Sequence, residues 1–294
     1  MKRVVISGAN RGIGLALVEH VLGAADDHAV WLGARSPERG QAAVDGLRAK
    51  NAAWAERLEV LALDVADKAS VEAAAATVRS VLGDGETLYA LVNNAGIGHP
   101  DSALRDTLAV NTYGTKRVTD AFLPLLQPSG GRIVNITSAS GPNFVEKCSP
   151  EQQQILTSPD VTWEQIETFL QQCLGAEGSA GEFARLGLGD GSSYGISKAC
   201  GNAYTLSLAR EHPELVINAC TPGFIETELT RPIAERYGKT PAEMGMKSPE
   251  EGTVSAMHLL FGDVAQSGHY YGSDALRSPM HCYRSPGTPA HTGD

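Results

Sequence analysis

Short apolar runs alternate with longer stretches of helical period along the first half of this chain. Val4-Val5-Ile6 leads into Ile13 to Leu22, Val30-Trp31-Leu32 into Pro37 to Lys50, and Leu58 to Leu63 into Ala69 to Leu82. Tyr89-Ala90-Leu91-Val92 is followed by a helical stretch to Leu126, and then by Arg132-Ile133-Val134-Asn135-Ile136. Strands that are apolar at nearly every position are covered on both faces, and such strands separated by helices pair in parallel. The pattern predicts an α/β fold with a single doubly wound parallel sheet.

Helix starts are marked by capping residues placed before proline. Ser36-Pro37, Ser149-Pro150, Thr240-Pro241 and Ser248-Pro249 each set a side-chain oxygen ahead of a first-turn proline. Gln152 and Glu251 stand at capping-box spacing from Ser149 and Ser248. The alternation breaks after Ile136. Residues 139–193 read as a helical insertion, with a short helix after Pro150 and an amphipathic one from Trp163 to Leu174, whose Ile166, Phe169, Leu170, Cys173 and Leu174 share a side. Gly175, Gly178, Gly181, Gly187, Gly189 and Gly191 follow, and a helix carrying Tyr194 then resumes the pattern. Next come a strand from Leu215 to Cys220, a loop to Lys247 and a helix from Pro249 to Phe261. The insertion is too short for its own core, so residues 1–275 form one domain. Residues 276–294, rich in Pro, Gly, Ser and His, read as a loosely held tail.

Charge and cysteine content narrow the function classes. The net charge of −10 repels phosphate backbones, which argues against nucleic acid as the main partner. No apolar run reaches membrane-spanning length, and the run after Met1-Lys2-Arg3 is too short for a secretory signal. The five cysteines are scattered without a Cys-x-x-Cys pair, which predicts a reduced, cytoplasmic protein. The eight histidines show no ligand spacing, so no metal is expected.

Two motifs carry chemistry. Ser7-Gly8-Ala9-Asn10-Arg11-Gly12-Ile13-Gly14 follows a strand and opens a helix. Glycines there permit a tight turn and close approach to a pyrophosphate, which the free N–H groups of the helix can bind. Taken alone, the loop is equally an ordinary glycine-rich turn. Downstream, the second strand ends in Leu32-Gly33-Ala34-Arg35-Ser36, without the acid that accepts from a ribose 2′-OH. Arg35 can instead pair with a 2′-phosphate, with Arg11 as a second charge, so NADPH is favoured over NADH. Asp64-Val65 lies after the third strand, where an adenine edge sits. Asn94, Ala95 and Gly96 lie after the fourth, where small residues let a cofactor lie close.

Tyr194 and Lys198 are four apart on one helix and share a face. An ammonium beside a phenol lowers its pKa from ~10, so that Tyr194 can exchange a proton with a carbonyl oxygen. Ser138, at a strand end, can polarise the same oxygen, and Asn111 can hold a water chain from Lys198. In isolation a Tyr-x-x-x-Lys pair is more simply an exposed helix pair.

The glycine loop, Asn93-Asn94-Ala95-Gly96, Asn111, Ser138, Tyr194 with Lys198, and Pro222-Gly223 followed by Thr227 occur in an order that resembles the short-chain dehydrogenase/reductase family over roughly residues 2–275. The resemblance implies a Rossmann-type fold and a catalytic tetrad of Asn111, Ser138, Tyr194 and Lys198. It also implies cofactor contacts from Gly8, Asn10, Arg11, Gly12, Ile13 and Gly14, from Tyr194 and Lys198 at the nicotinamide ribose, and from Pro222, Gly223, Ile225 and Thr227 at the nicotinamide end. Within the family the chain looks most like the monomeric NADPH-dependent carbonyl reductases. It shares Ala34-Arg35, Arg39 to Val44, Cys148 to Glu151, Lys247 to Gly252 and the long insertion. Those relatives reduce ketones, aldehydes and quinones, and plant relatives reduce terpenoid or alkaloid ketones. Their insertion packs where other members pair subunits, which implies a monomer.

Ser7 stands where Thr is usual, the 224–247 segment is longer than in the animal enzymes, and the tail after Gly272 does not resemble the family. Ser138, Tyr194 and Phe224 are the substrate-facing candidates, although Phe224 equally suits core packing. The glycine-rich part of the insertion and the 224–247 loop are expected to form a mobile rim. The reading is NADPH-dependent carbonyl reduction. The alternatives are an NAD(P)-dependent alcohol dehydrogenase acting oxidatively and a non-catalytic dinucleotide sensor that binds partners through the insertion.

Overall fold

A computed structural model describes residues 1–98 and 102–293. Eight strands, β1 Lys2–Ile6, β2 His28–Ala34, β3 Leu58–Ala62, β4 Ala90–Asn93, β5 Arg132–Ile136, β6 Val216–Cys220, β7 His269–Tyr271 and β8 Arg277–Ser278, form one sheet. Their order is β3-β2-β1-β4-β5-β6-β7-β8. All neighbours are parallel except the β7–β8 pair. The helices, in chain order, are α1 Gly12–Ala24, α2 Pro37–Lys50, α3 Lys68–Leu82, α4 Leu104–Asn111, α5 Tyr113–Phe122, α6 Ser140–Val145, α7 Pro150–Thr157, α8 Trp163–Gly175, α9 Ala180–Arg185, α10 Ser193–Glu211, α11 Arg231–Arg236 and α12 Val254–Phe261.

Alternate strand residues feed two cores. Val5, Leu91 and Ile133 join one with Val78 of α3, Phe122 of α5 and Ile196 of α10. Val4, Ile6, Ala90, Val92 and Val134 join the other with Leu17 of α1, Val44 of α2 and Leu260 of α12. This two-residue alternation between two dry faces is why the strands read as unbroken apolar runs.

Several elements differ from the sequence reading. The stretch to Leu126 divides into α4 and α5 at Thr112, whose hydroxyl donates to Ser197 O of α10 (3.3 Å). Thr240 and Glu243 make both capping-box bonds (2.8 and 3.2 Å), but Gly245, at φ +71°, turns the chain before a helix can form. The box between Ser248 and Glu251 opens a 3-10 turn at Glu251–Thr253, and the α-helix starts at Val254 rather than Pro249. In the insertion, Gly187 and Gly189 are packed rather than loose. A Cβ on them would stand 2.5 Å from Ser149 Cβ and 2.8 Å from the Phe144 ring. In the tail, β8 pairs with β7, and its Arg277 donates to Gly293 O (2.7 Å) and accepts from His291 N (2.9 Å).

Candidate active site

The strand order reverses between β1 and β4, because the chain builds outward through β2 and β3 and then returns to the other side of β1. In such sheets the carboxyl ends of the two strands part to leave a ligand crevice. Here the crevice is tied by side chains. Ser7 Oγ accepts from Asn94 N (3.0 Å) and Ala95 N (3.1 Å), and Asn94 Nδ2 donates to Ser7 O (2.9 Å) and Gly8 O (3.0 Å). The Ser7 hydroxyl thus does the tying, and the missing threonine methyl takes no part in it.

The glycines are required by space. Gly8 has φ +62°, and a Cβ on Gly14 would lie 2.5 Å from Asn94 Nδ2 and 2.7 Å from Gly8 O. Gly14→Ala is therefore expected to cost ~1–3 kcal/mol of stability and to weaken dinucleotide binding, because backbone must move. Gly46→Ala on α2 has no neighbour within 4 Å and is the matched control. Thermal melts and dinucleotide titrations of both variants check this. Wild-type binding by Gly14→Ala would refute the packed cradle.

A cavity of about 370 Å³ follows the crevice. It is lined by Gly8, Asn10, Arg11, Gly12, Ile13 and Gly14, by Arg35, by Asp64 and Val65, by Asn94, Ala95 and Gly96, and by Thr227. The first turn of α1 has no side-chain cap, whereas α2, α3, α8 and α10 each have one. Its N–H groups therefore remain available for an anion. Pro222 and Ile225 do not line this cavity. Ile225 is buried and bridges to Lys247.

Arg11 lines the cavity with Arg35, and its exposed guanidinium also pairs with Glu228 of the loop after β6. Arg39, in the first turn of α2, lines the cavity beside Arg35, a role the sequence does not announce. Nothing local marked Glu228.

Ser138 follows β5, and the deeply buried α10, capped by Ser192 Oγ on Gly195 N (3.1 Å), carries Tyr194 and Lys198. Lys198 Nζ donates to Ile136 O (3.0 Å) and lies 5.4 Å from the centre of the Tyr194 ring. Burial draws the Lys198 ammonium down to about 8. Tyr194 corrects the sequence reading. Burial raises its phenol, and the opposing influence is a hydrogen bond with Ser138 rather than the Lys198 charge. Asn111 grips Ile97 through Oδ1 (2.9 Å from Ile97 N) and Nδ2 (2.8 Å to Ile97 O), and it also donates to Ser197 Oγ (3.0 Å). A Cβ on Gly96 would lie 3.4 Å from Asn111 Oδ1 and 3.6 Å from Lys198 Nζ, so these groups meet where the first cavity ends.

A second cavity, of about 390 Å³, holds Ser138, Gly223, Phe224 and Tyr270. Phe224 is 38% exposed, which places it on a cavity wall rather than in the core. Tyr194 presents its other side to a recess shared with Gly98 and Phe183. Among the described residues no trio of His, Cys, Asp or Glu gathers as metal ligands, and no helix is long and apolar enough to cross a membrane.

A dinucleotide-sized crevice that ends beside a Ser–Tyr–Lys cluster defines a nucleotide-dependent oxidoreductase of the doubly wound class. The chain belongs to the short-chain dehydrogenase family, whose pattern it matches over residues 2–150. It is 33% identical over 286 residues to (+)-neomenthol dehydrogenase of Arabidopsis thaliana, covering 87% of this chain and 90% of that one. It is 32% identical over 270 residues to carbonyl reductase (NADPH) 1 of Homo sapiens, covering 87% and 89%. Among solved structures it resembles salutaridine reductase from Papaver somniferum, with 27% identity, a TM-score of 0.76 and coverage of 92% of this chain and 99% of that one.

Proposed function

We propose that this protein is an NADPH-dependent carbonyl reductase acting on a ketone, aldehyde or quinone. The observation that carries the reading is the grouping of Ser138, on the wall of the second cavity, with Tyr194 and the buried Lys198, whose Nζ lies beside Gly96 of the first cavity. The cofactor fits these residues. The glycine cradle has no room for side chains, α1 offers uncapped N–H groups, and Arg35 with Arg39 suits a 2′-phosphate. When bound, NADPH supplies the hydride. Tyr194 donates the proton to the carbonyl oxygen, Ser138 orients that oxygen, and Lys198 grips the nicotinamide ribose. A phenol that burial keeps protonated can serve as the proton donor for reduction. Asn111 holds the Ile97 segment against α10 beside Lys198.

The finer assignments are ours as well. Gly223 and Thr227 contact the nicotinamide end, with Pro222 and Ile225 shaping that loop, and Phe224 faces substrate. The protein acts as a monomer, because α8 covers α5 and α10 through Tyr113–Trp163 and Trp163–Tyr204 ring contacts. Five free cysteines suit the reducing cytoplasm. The test is consumption of NADPH, and separately of NADH, against quinones, aromatic aldehydes and cyclic ketones. Turnover that prefers NADPH is expected. Tight NADPH binding without turnover on any compound would favour the sensor.

A pH dependence follows from Lys198. With its ammonium drawn down to about 8 in the free protein, the charge is lost as pH rises through that value. Cofactor oxygens favour the charged form, so NADPH binding near pH 8 should take up a fraction of a proton, and affinity should fall above it. Calorimetry in buffers of different ionisation enthalpy measures the uptake. Zero uptake would remove Lys198 from the cofactor site.

A further inference from the structure

The segment beyond the last parallel strand is built onto the second cavity. Tyr283, Arg284 and Pro286 line the same cavity as Ser138, Phe224 and Tyr270. Beyond Pro279 no described residue of this segment is buried, so apolar burial does not hold it in place. A polar hub does. The Arg284 side chain is only 7% exposed and pairs with Asp274. Its Nε donates to Ser278 Oγ (2.8 Å) and its Nη1 to Thr288 O (2.7 Å), while Asp274 Oδ2 accepts from Gly287 N (3.0 Å). Burial alone would raise the Asp274 carboxyl, but the bonds from Arg284, Gly287 and Leu276 hold it below its ordinary value.

Two backbone features serve this hub. A Cβ on Gly272 would stand 2.5 Å from Arg284 Nη2 and 2.8 Å from Asp274 Oδ1, so the guanidinium passes where only glycine leaves room. Ala275 adopts φ +58°, an unfavourable conformation for a residue with a side chain, and its N–H is fixed by Ser255 Oγ (3.1 Å). The turn that presents Asp274 is therefore imposed by its surroundings.

We propose that residues 277–293 are the outer wall of the substrate cavity, and that Arg284, through Asp274, is a positioning residue that fits the cavity to flat, ring-bearing carbonyl compounds lying among Phe224, Tyr270 and Tyr283. This deepens, and rests on, the carbonyl-reductase reading. The aromatic walls supply the preference for rings, since flat faces stack on aromatic side chains. The hub supplies the cavity's size, since removing either charge leaves its buried partner unpaired and frees the segment.

The test compares Arg284→Met and Gly272→Ala with the wild type. The first removes the charge, and the second displaces the guanidinium without changing charge. With a bicyclic ketone, KM should rise about tenfold, the scale of a lost pocket contact. With a small aliphatic aldehyde, kcat and NADPH affinity should stay near wild type, and Arg284→Lys should recover part of the loss. Unchanged KM for the bicyclic ketone, or equal loss on every substrate together with loss of NADPH binding, would overturn the proposal. Hydrogen exchange separates this failure from failure of the reductase reading. Faster exchange at residues 138–143 and 224 in Arg284→Met, with none at 8–14, supports the wall even if the wild type reduces no compound in the panel. Unchanged exchange at all these positions overturns it.

Discussion

Tyr194→Phe should lower kcat by about 10²–10⁴, the usual contribution of a positioned acid, while leaving NADPH affinity within a few-fold of wild type. The glycine cradle, Arg35 and Arg39 that line the 370 Å³ cavity are untouched by the substitution, so most of the cofactor's contacts survive the loss of the hydroxyl. Its hydrogen-bond partner is Ser138, and burial already disfavours the phenolate. Phenylalanine therefore fits without a new unpaired charge, and the fold should melt near the wild-type temperature. Ser138→Ala should cost less, because the proton donor remains and only the orientation of the oxygen is lost. Running the reaction backwards provides a second check. Alcohol oxidation needs the phenolate, so its rate should climb with pH where the reductive rate does not. A Tyr194→Phe protein that turns over at wild-type rate would remove Tyr194 from the chemistry, and a wild type that binds NADPH but never turns over would restore the sensor.

What could be read from sequence followed the length and dryness of each element. β1, β2, β4, β5 and β6 carry apolar residues into the cores on both sides, so Val4-Val5-Ile6 or Ile133-Val134 already announce themselves as parallel strands. α2 runs from Pro37 to Lys50 as its Ser36 cap and its proline predict. β7 and β8, with three and two residues, are too short to show a period. The Thr240 cap misled because a local signal cannot show that Gly245 will turn the chain five residues later. Site residues divide in the same way. Gly8, Gly14 and Asn94 are local to strand ends, so their meeting at the crevice was legible. The Arg11–Glu228 pair joins positions more than two hundred residues apart and could not be. The electrostatics of Tyr194 depended on burial and on the Ser138 bond, neither of which an i, i+4 spacing contains. Arg284 was invisible for a related reason, since the composition of a polar tail does not reveal one buried guanidinium.

Arg35→Asp should reverse the choice of dinucleotide. Arg35 follows β2 on the wall of the first cavity and has no ion-pair partner among the described residues, whereas Arg11 pairs with Glu228. An unpaired guanidinium facing a phosphate site is worth roughly 1.5–3 kcal/mol when the hydrogen bonds to charge are made, or about ten- to a hundred-fold in affinity. The substitution removes that contribution and sets a carboxylate where a ribose 2′-OH can donate to it, while repelling a 2′-phosphate. The ratio of kcat/KM for NADPH over NADH should therefore fall by at least tenfold, mostly through KM for NADPH, and kcat should hold because the nicotinamide end is untouched. Arg39, in the first turn of α2, lines the same wall, so the two positions are expected to couple. Arg39→Ala in the Arg35→Asp background should then cost less than Arg39→Ala alone, because no phosphate remains well held for it to lose. If Arg35→Asp leaves the NADPH preference intact while Arg39→Ala abolishes it, the selecting charge sits on α2 rather than at the end of β2.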